Sequence, residues 1–383
     1  MKIIVLGAGR VGSAMAIDLA LDKRFEVRVA DRDARQLGRL EQSHGIRGEG
    51  VDFSLPSTAA RAIADADLVV SAVPGFLGFQ TLRTIIEAGK NVVDIAFFPE
   101  DPFELDDLAK SKGVTAIVDC GVAPGMSNML VGHASSRLDK TDSVAIYVGG
   151  LPANREGLFE YRAVFSPVDV IEEYTRPSRI VVDGQIVIRE ALSEIEVLHF
   201  PRVGDLEAFN TDGLRTLAQT IDAPNMVEKT LRYPGHAEKV KLLRDMGLFE
   251  SREVLLPDGT SVCPIDLTTA LLFPLWEMQE GERDLTVMRI QVCGTKDNAA
   301  CCITYDLLDR FNDITGTTSM ARTTGYAATM AVRMLQQNLF SAPGVYPPEF
   351  IGRDPACVDF ILSGLKDRGI EYCESITPRR PTG

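Results

Sequence analysis

The segment Gly7-Ala8-Gly9-Arg10-Val11-Gly12 lies between a β-branched run over residues 3–6 and a helical apolar pattern over residues 11–21. No other feature limits the fold as strongly. The first glycine of such a turn permits the sharp exit from a strand, the second lets the backbone approach a pyrophosphate, and the third allows the helix to pack closely on the strand. The helix N-terminus adds N–H donors and positive potential. Strand, turn and helix therefore predict a dinucleotide site that includes Gly7, Gly9, Arg10, Val11 and Gly12. Asp31 ends the next strand pattern, 19 residues beyond Gly12. A carboxylate there accepts hydrogen bonds from ribose hydroxyls and repels a 2′-phosphate, so NAD is expected over NADP. Arg32 beside it argues the other way, because a guanidinium tolerates that phosphate.

Short β-branched runs over residues 26–30, 68–71, 91–94 and 115–118 alternate with helical patterns over 58–63, 79–88 and 103–112. This alternation predicts an α/β fold with a parallel sheet of Rossmann type. Ligands bind at the carboxyl ends of such strands. The loop containing Ser71, Ala72, Val73 and Pro74 is thus expected either to contact the cofactor or to be a plain turn. Asp94, Asp101 and Asp119 end later strands or lie just beyond them, where a carboxylate either holds a substrate ammonium or caps the next helix. The glycines and proline of Cys120-Gly121-Val122-Ala123-Pro124-Gly125 break the pattern, and a domain exit is placed there. Beyond it, strand-like runs over 143–148, 178–183, 186–189 and 285–293, with turns at Asp183-Gly184 and Asp258-Gly259, predict an α+β substrate domain on a mainly antiparallel sheet. A helix is predicted over 323–335 and a last strand over 369–373.

Forty basic against 54 acidic side chains in 383 residues give a net charge of -14, which disfavours a nucleic-acid partner. The sequence has no apolar stretch long enough to span a bilayer, and its opening run is too short for a signal-peptide core. No membrane partner and a cytoplasmic location are expected. The seven cysteines are odd in number and include no C-x-x-C pair, so reduced thiols are expected. Cys120 has no histidine near it in sequence and reads as a buried thiol. The four histidines lack metal-ligand spacing, and no metal is expected. His236 follows a cation, an aromatic and a turn, so it is either a site residue or an exposed loop histidine.

Several longer motifs resemble the saccharopine dehydrogenase-like family, and within it most closely the lysine 6-dehydrogenases. They are Val148-Gly149-Gly150-Leu151-Pro152, Phe165-Ser166-Pro167-Val168-Asp169, Glu173-Tyr174-Thr175-Arg176-Pro177, Thr211-Asp212-Gly213-Leu214-Arg215, the stretch from Glu228 to His236, and Thr324-Gly325-Tyr326. The resemblance implies a Rossmann domain over residues 1–121, an inserted substrate and dimerisation domain over 122–319, and a segment over 320–383 that returns to the Rossmann domain. It also implies a homodimer acting on a small amino acid. Arg176 is expected to hold a substrate carboxylate, and Asn210, Thr211 and Asp212 to line the amino-acid site. A guanidinium suits that role because it grips a carboxylate with two N–H groups, although Arg176 and Asp212 could instead pair with each other. Asp119, Asp212 and His236 are the candidates for the proton acceptor. The expected reaction is NAD-dependent oxidative deamination of L-lysine at its ε-carbon. The alternatives are a saccharopine dehydrogenase and a non-catalytic dinucleotide sensor.

Overall fold

The computed structural model describes residues 1–163, 167–279 and 281–378. Its first part alternates β1 (Lys2–Leu6), α1 (Arg10–Ala20), β2 (Glu26–Asp31), α2 (Ala34–His44), β3 (Arg47–Gly50) and α3 (Pro56–Ile63). It continues through β4 (Leu68–Ser71), α4 (Gly75–Glu87), β5 (Asn91–Asp94), α5 (Asp106–Lys112) and β6 (Thr115–Ile117). The next elements are α6 (Met126–Ser136), β7 (Lys140–Pro152), α7 (Pro167–Thr175), β8 (Ser178–Val182), β9 (Gln185–Arg189) and β10 (Glu196–Phe200). Then come β11 (Gly204–Asn210), α8 (Leu217–Thr220), β12 (Asn225–Arg232), α9 (His236–Asp245), β13 (Val254–Leu255), β14 (Ser261–Val262) and α10 (Pro264–Trp276). The long hairpin β15 (Asp284–Lys296) and β16 (Ala299–Arg310) leads to α11 (Ser319–Gln336), β17 (Gly344–Tyr346), α12 (Pro348–Gly352), α13 (Pro355–Lys366) and β18 (Tyr372–Pro378).

Seven parallel strands form one sheet in the order β17-β6-β5-β4-β1-β2-β3. Ile3, Ile4, Val5 and Leu6 of β1 are all fully buried, as expected of a strand covered by helices on both faces. A second, nine-stranded sheet runs β10-β11-β12-β7-β15-β16-β18, with β8 on β12 and β9 on β8. Its pairings are antiparallel except that of β12 with β7. The α/β class read from the sequence is therefore the fold observed. The turns at Asp183-Gly184 and Asp258-Gly259 close the hairpins β8–β9 and β13–β14.

After the second sheet the chain comes back to the first. β17 extends the parallel sheet beside β6, and α11 packs on α1 so closely that a Cβ at Gly325 would lie 2.9 Å from Met15 Cγ. Asp18 of α1 accepts hydrogen bonds from Thr329 (2.5 Å) and Arg333 (2.7 Å) of α11 and from Arg368 (2.7 Å).

Three expectations need correction. Cys293 and Cys302 are joined by a disulfide, because the β15–β16 register sets them directly opposite each other. Spacing in sequence cannot show this partnership, and the other five cysteines are free thiols. The helical pattern over 103–112 divides into a short tight turn over Pro102–Leu105, capped by the Asp101 carboxylate on Phe103 N, and then α5. The final strand, β18 over 372–378, overlaps the expected 369–373 only at Tyr372 and Cys373, because its place is set by pairing with β16. No helix among the described residues is long and apolar enough to cross a membrane.

Candidate active site

A cavity of about 610 Å³ opens at the carboxyl ends of the parallel strands and runs under the second sheet. Its first half is built by the glycine turn. Gly7 adopts φ +104°, and a Cβ there would meet Ala72 O at 2.5 Å; at Gly12 a Cβ would lie 2.0 Å from Gly7 O. These two glycines allow close backbone packing. At Gly9 a Cβ would meet nothing within 4 Å, so the missing side chain leaves open space. That space lies at the N-terminus of α1, which has no side-chain cap, and Gly9, Arg10 and Val11 line the cavity. This cradle fits a diphosphate, whose charge the helix N-terminus favours.

Asp31 lines the same half. Its carboxylate accepts from Ala8 N (2.5 Å) and Asp33 N (2.8 Å), which fixes it at the tip of β2. Arg32 is exposed at the cavity edge. Ala72, Val73 and Pro74 form part of the wall, whereas Ser71 lies fully buried beneath it.

In the second half, α7 contributes Asp169, Glu172 and Glu173, the residue just after it is Arg176, and the chain after β11 contributes Thr211 and Asp212. The Arg176 guanidinium carbon sits 4.7 Å from the ring centre of Phe97, and Nη2 donates to Glu172 Oε2 at 3.1 Å. Its Nη1 is buried with no hydrogen-bond partner among the described residues. Arg176 does not pair with Asp212. That carboxylate is gripped at 2.9 and 2.8 Å by Arg179 Nε and Nη2. Asn210 is fully buried and donates to Ser193 Oγ at 3.1 Å, behind the wall rather than in it.

The three candidate proton acceptors are not brought together. Asp119 is buried outside the cavity wall in an ion pair with Arg215 (3.1 Å), whose Nη1 also donates to Phe98 O. Asp212 reaches the cavity but is tied to Arg179. His236 is buried, not exposed, at the start of α9, bonded to Tyr174 Oη (2.8 Å) and Phe159 O (3.0 Å) and away from the cavity. Burial, with Arg232 nearby, holds its imidazole down to about 3. Burial pushes the Cys120 thiol up to about 12, consistent with an inert packed thiol. Burial also raises Asp94, at the carboxyl end of the interior strand β5, to about 7.

Sequence reasoning gave Glu228 no separate role. β12 places Glu228, Thr230 and Arg232 at every second residue, and all three line the cavity. Polar residues at strand period on one face were the available signal. Arg232 is held by Glu173 Oε2 (2.8 Å) and Tyr174 Oη (3.3 Å). Of the resemblance motifs, Phe165 and Ser166 lie outside the described residues.

Cradle, acidic strand end and polar cleft define a dinucleotide-binding α/β protein with a second, mixed-sheet domain. Residues 3–117 match the saccharopine dehydrogenase NADP binding domain, and residues 121–370 match the saccharopine dehydrogenase C-terminal domain. The chain belongs to the saccharopine dehydrogenase family. Saccharopine dehydrogenase [NADP(+), L-glutamate-forming] of Saccharomyces cerevisiae is 23% identical over 96% of this chain and 97% of its own length. Mitochondrial alpha-aminoadipic semialdehyde synthase of Bos taurus is 23% identical over 98% of this chain, and the match spans 48%, about half, of that protein. The solved apo saccharopine dehydrogenase (L-Glu forming) from Saccharomyces cerevisiae shares the fold, with a TM-score of 0.80 at 21% identity over 98% of this chain and 99% of that one.

Proposed function

We propose that this chain oxidises a carbon–nitrogen bond of an amino acid, and that L-lysine, deaminated at its ε-carbon with NAD, is the substrate. One observation carries the choice of substrate. The amino-acid half of the cavity is lined by five carboxylates, Asp169, Glu172, Glu173, Asp212 and Glu228, against two guanidinium groups, Arg176 and Arg232. Arg232 is occupied by Glu173 and Tyr174, which leaves Arg176 Nη1 as the buried donor awaiting an acceptor. One carboxylate anchor in an acidic cleft suits a substrate with one carboxylate and an ammonium at the far end. Saccharopine, with three carboxylates, would meet more repulsion here.

Gly9 and the α1 N-terminus would hold the diphosphate, and Asp31 the adenosine ribose. When bound, the dinucleotide supplies the hydride acceptor at the nicotinamide C4. Arg176 fixes the lysine carboxylate, the aliphatic chain spans the cleft, and the acidic wall orients the ε-ammonium. Loss of hydride from that carbon yields an iminium, which water converts to the semialdehyde and ammonia. The acidic end of β2 supports NAD, although the Saccharomyces cerevisiae relative carries NADP(+) in its name. A homodimer belongs to this reading; Leu267, Leu271 and Leu275 form an exposed apolar stripe along α10 that supports such a contact.

The test is turnover by purified protein. Lysine with NAD should give NADH and ammonia in equal amounts, with a higher kcat/KM than lysine with NADP. The relatives favour a second reading, in which saccharopine is the substrate. NADPH or NADH formed from saccharopine but not from lysine would establish it. Tight dinucleotide binding with no turnover of either amine would instead leave a sensor.

A further inference from the structure

Glu228 is a buried carboxylate in the cavity wall with no cation paired to it among the described residues. Its side chain accepts from Thr211 Oγ1 at 2.6 Å and leans over Gly213, where a Cβ would lie 2.3 Å from its carboxylate carbon. Thr211 also meets Thr230 Oγ1 at 2.9 Å, so the hydroxyl pair positions Glu228 without neutralising it. Among the described residues no ion pair engages Glu228. Three carboxylates in the same half of the cavity each have a cation. Glu172 has Arg176, Glu173 has Arg232, and Asp212 has Arg179.

We infer that Glu228 is the group that accepts the ammonium proton of the bound amine, resting on the amine-oxidising function proposed above. In this step the N–H bond breaks and the proton forms an O–H bond on the carboxylate. The electron pair stays on nitrogen. A neutral nitrogen is what the adjacent carbon needs before it can release hydride, so the step precedes oxidation of either a primary or a secondary amine.

The charged surroundings support this role. From α7 and its end, Asp169, Glu172, Glu173 and the following Arg176 face the cavity; the chain after β11 adds Asp212, and β12 itself adds Arg232. On the neighbouring strand β7, apolar Ile146 occupies the register position beside Glu228. Burial raises the Glu228 carboxyl to about 8, with Glu173 and Asp212 adding like-charge repulsion and Thr211 opposing it. A base that titrates there exchanges its proton readily near neutral pH. An incoming ammonium is also the counter-charge the site lacks.

The experiment compares wild type with Glu228→Gln, which keeps the shape and the hydroxyl contact. Wild-type kcat/KM for lysine should climb as pH rises through about 8, because only the ionised carboxylate accepts a proton. Glu228→Gln should lose that limb and about 10²- to 10⁴-fold in kcat, with NAD affinity and melting temperature retained. A second measurement does not depend on turnover. Calorimetric binding of lysine in buffers of different ionisation heat, with NADH present, should show proton release below the Glu228 ionisation in wild type and none in Glu228→Gln. Lysine turnover with an unchanged pH profile and near-normal kcat in Glu228→Gln would overturn the role of Glu228 alone. Wild-type protein that binds dinucleotide but neither binds nor oxidises any amine would overturn the function proposal and this inference together.

Discussion

Arg176 turns the sequence motif into a physical claim about binding. Its guanidinium is stacked on Phe97 and held at one nitrogen by Glu172, with the buried Nη1 left for a ligand. Arg176→Ala should therefore raise the barrier for lysine by about 2–5 kcal/mol in kcat/KM, the cost of removing one partner of a desolvated charge pair. Glu172 is half exposed, so water can solvate it once Arg176 is gone, and melting temperature and NAD affinity should hardly change. Arg176→Lys should restore part of the loss, because an ammonium keeps the charge without the planar fork. Steady-state kinetics beside a melting curve decides the matter: an unstable but fully active alanine variant would make Arg176 a structural residue. At this scale the sequence exposes Arg176, Thr211, Asp212 and Asp31 through motif and spacing. It conceals how the charges pair. Asp212 goes to Arg179 and Asp119 to Arg215, partners whose proximity arises only when strands and loops distant in sequence are packed together.

The turn from β1 into α1 separates two uses of glycine within a single element. A Cβ at Gly12 would collide with the Gly7 carbonyl at 2.0 Å, whereas one at Gly9 would project into the open cradle. Gly12→Ala should lower the melting temperature or prevent folding. Gly9→Ala should melt like wild type yet bind NAD about tenfold or more weakly, ~1.4 kcal/mol. Dinucleotide titration of both variants checks this, and normal binding by Gly9→Ala would mean that the phosphates lie elsewhere. Elements such as β1, β4 and β5 are legible in sequence because their apolar runs are buried on both faces. Others carry little local signal. β3 reads Arg-Gly-Glu-Gly and is a strand because β2 offers it an edge, and the three residues of β17 owe their conformation to β6. The polar period of β12 was present in the sequence, but it took the opposing face of α7 to turn it into a cavity wall.

Across the whole molecule, one carboxylate ties the returning chain to the first helix. Asp18 projects from α1 with its side chain 7% exposed and receives Thr329 and Arg333 from α11 and Arg368 from beyond α13. Arg333 Nη2 also donates to the Asp18 carbonyl at 2.9 Å, so backbone and side chain of α1 are both engaged. Asp18→Ala would strand the Arg333 charge against Phe25, with Asp22 at 3.8 Å as its remaining counter-ion. Breaking a buried pair by removing one partner costs about 3–5 kcal/mol, and the residual Asp22 contact places this case near the lower end. The loss should be cooperative. Hydrogen exchange should quicken together in α1, α11 and the end of α13, because Asp18 joins them through Thr329, Arg333 and Arg368, while the β15–β16 hairpin keeps its protection. Arg333→Ala should destabilise similarly, and the double variant should cost less than the sum, since both changes remove the same interaction. Additive losses, or exchange that quickens only at the end of α1, would show that apolar packing such as Gly325 on Met15 holds the returning segment and that the charge cluster merely decorates it.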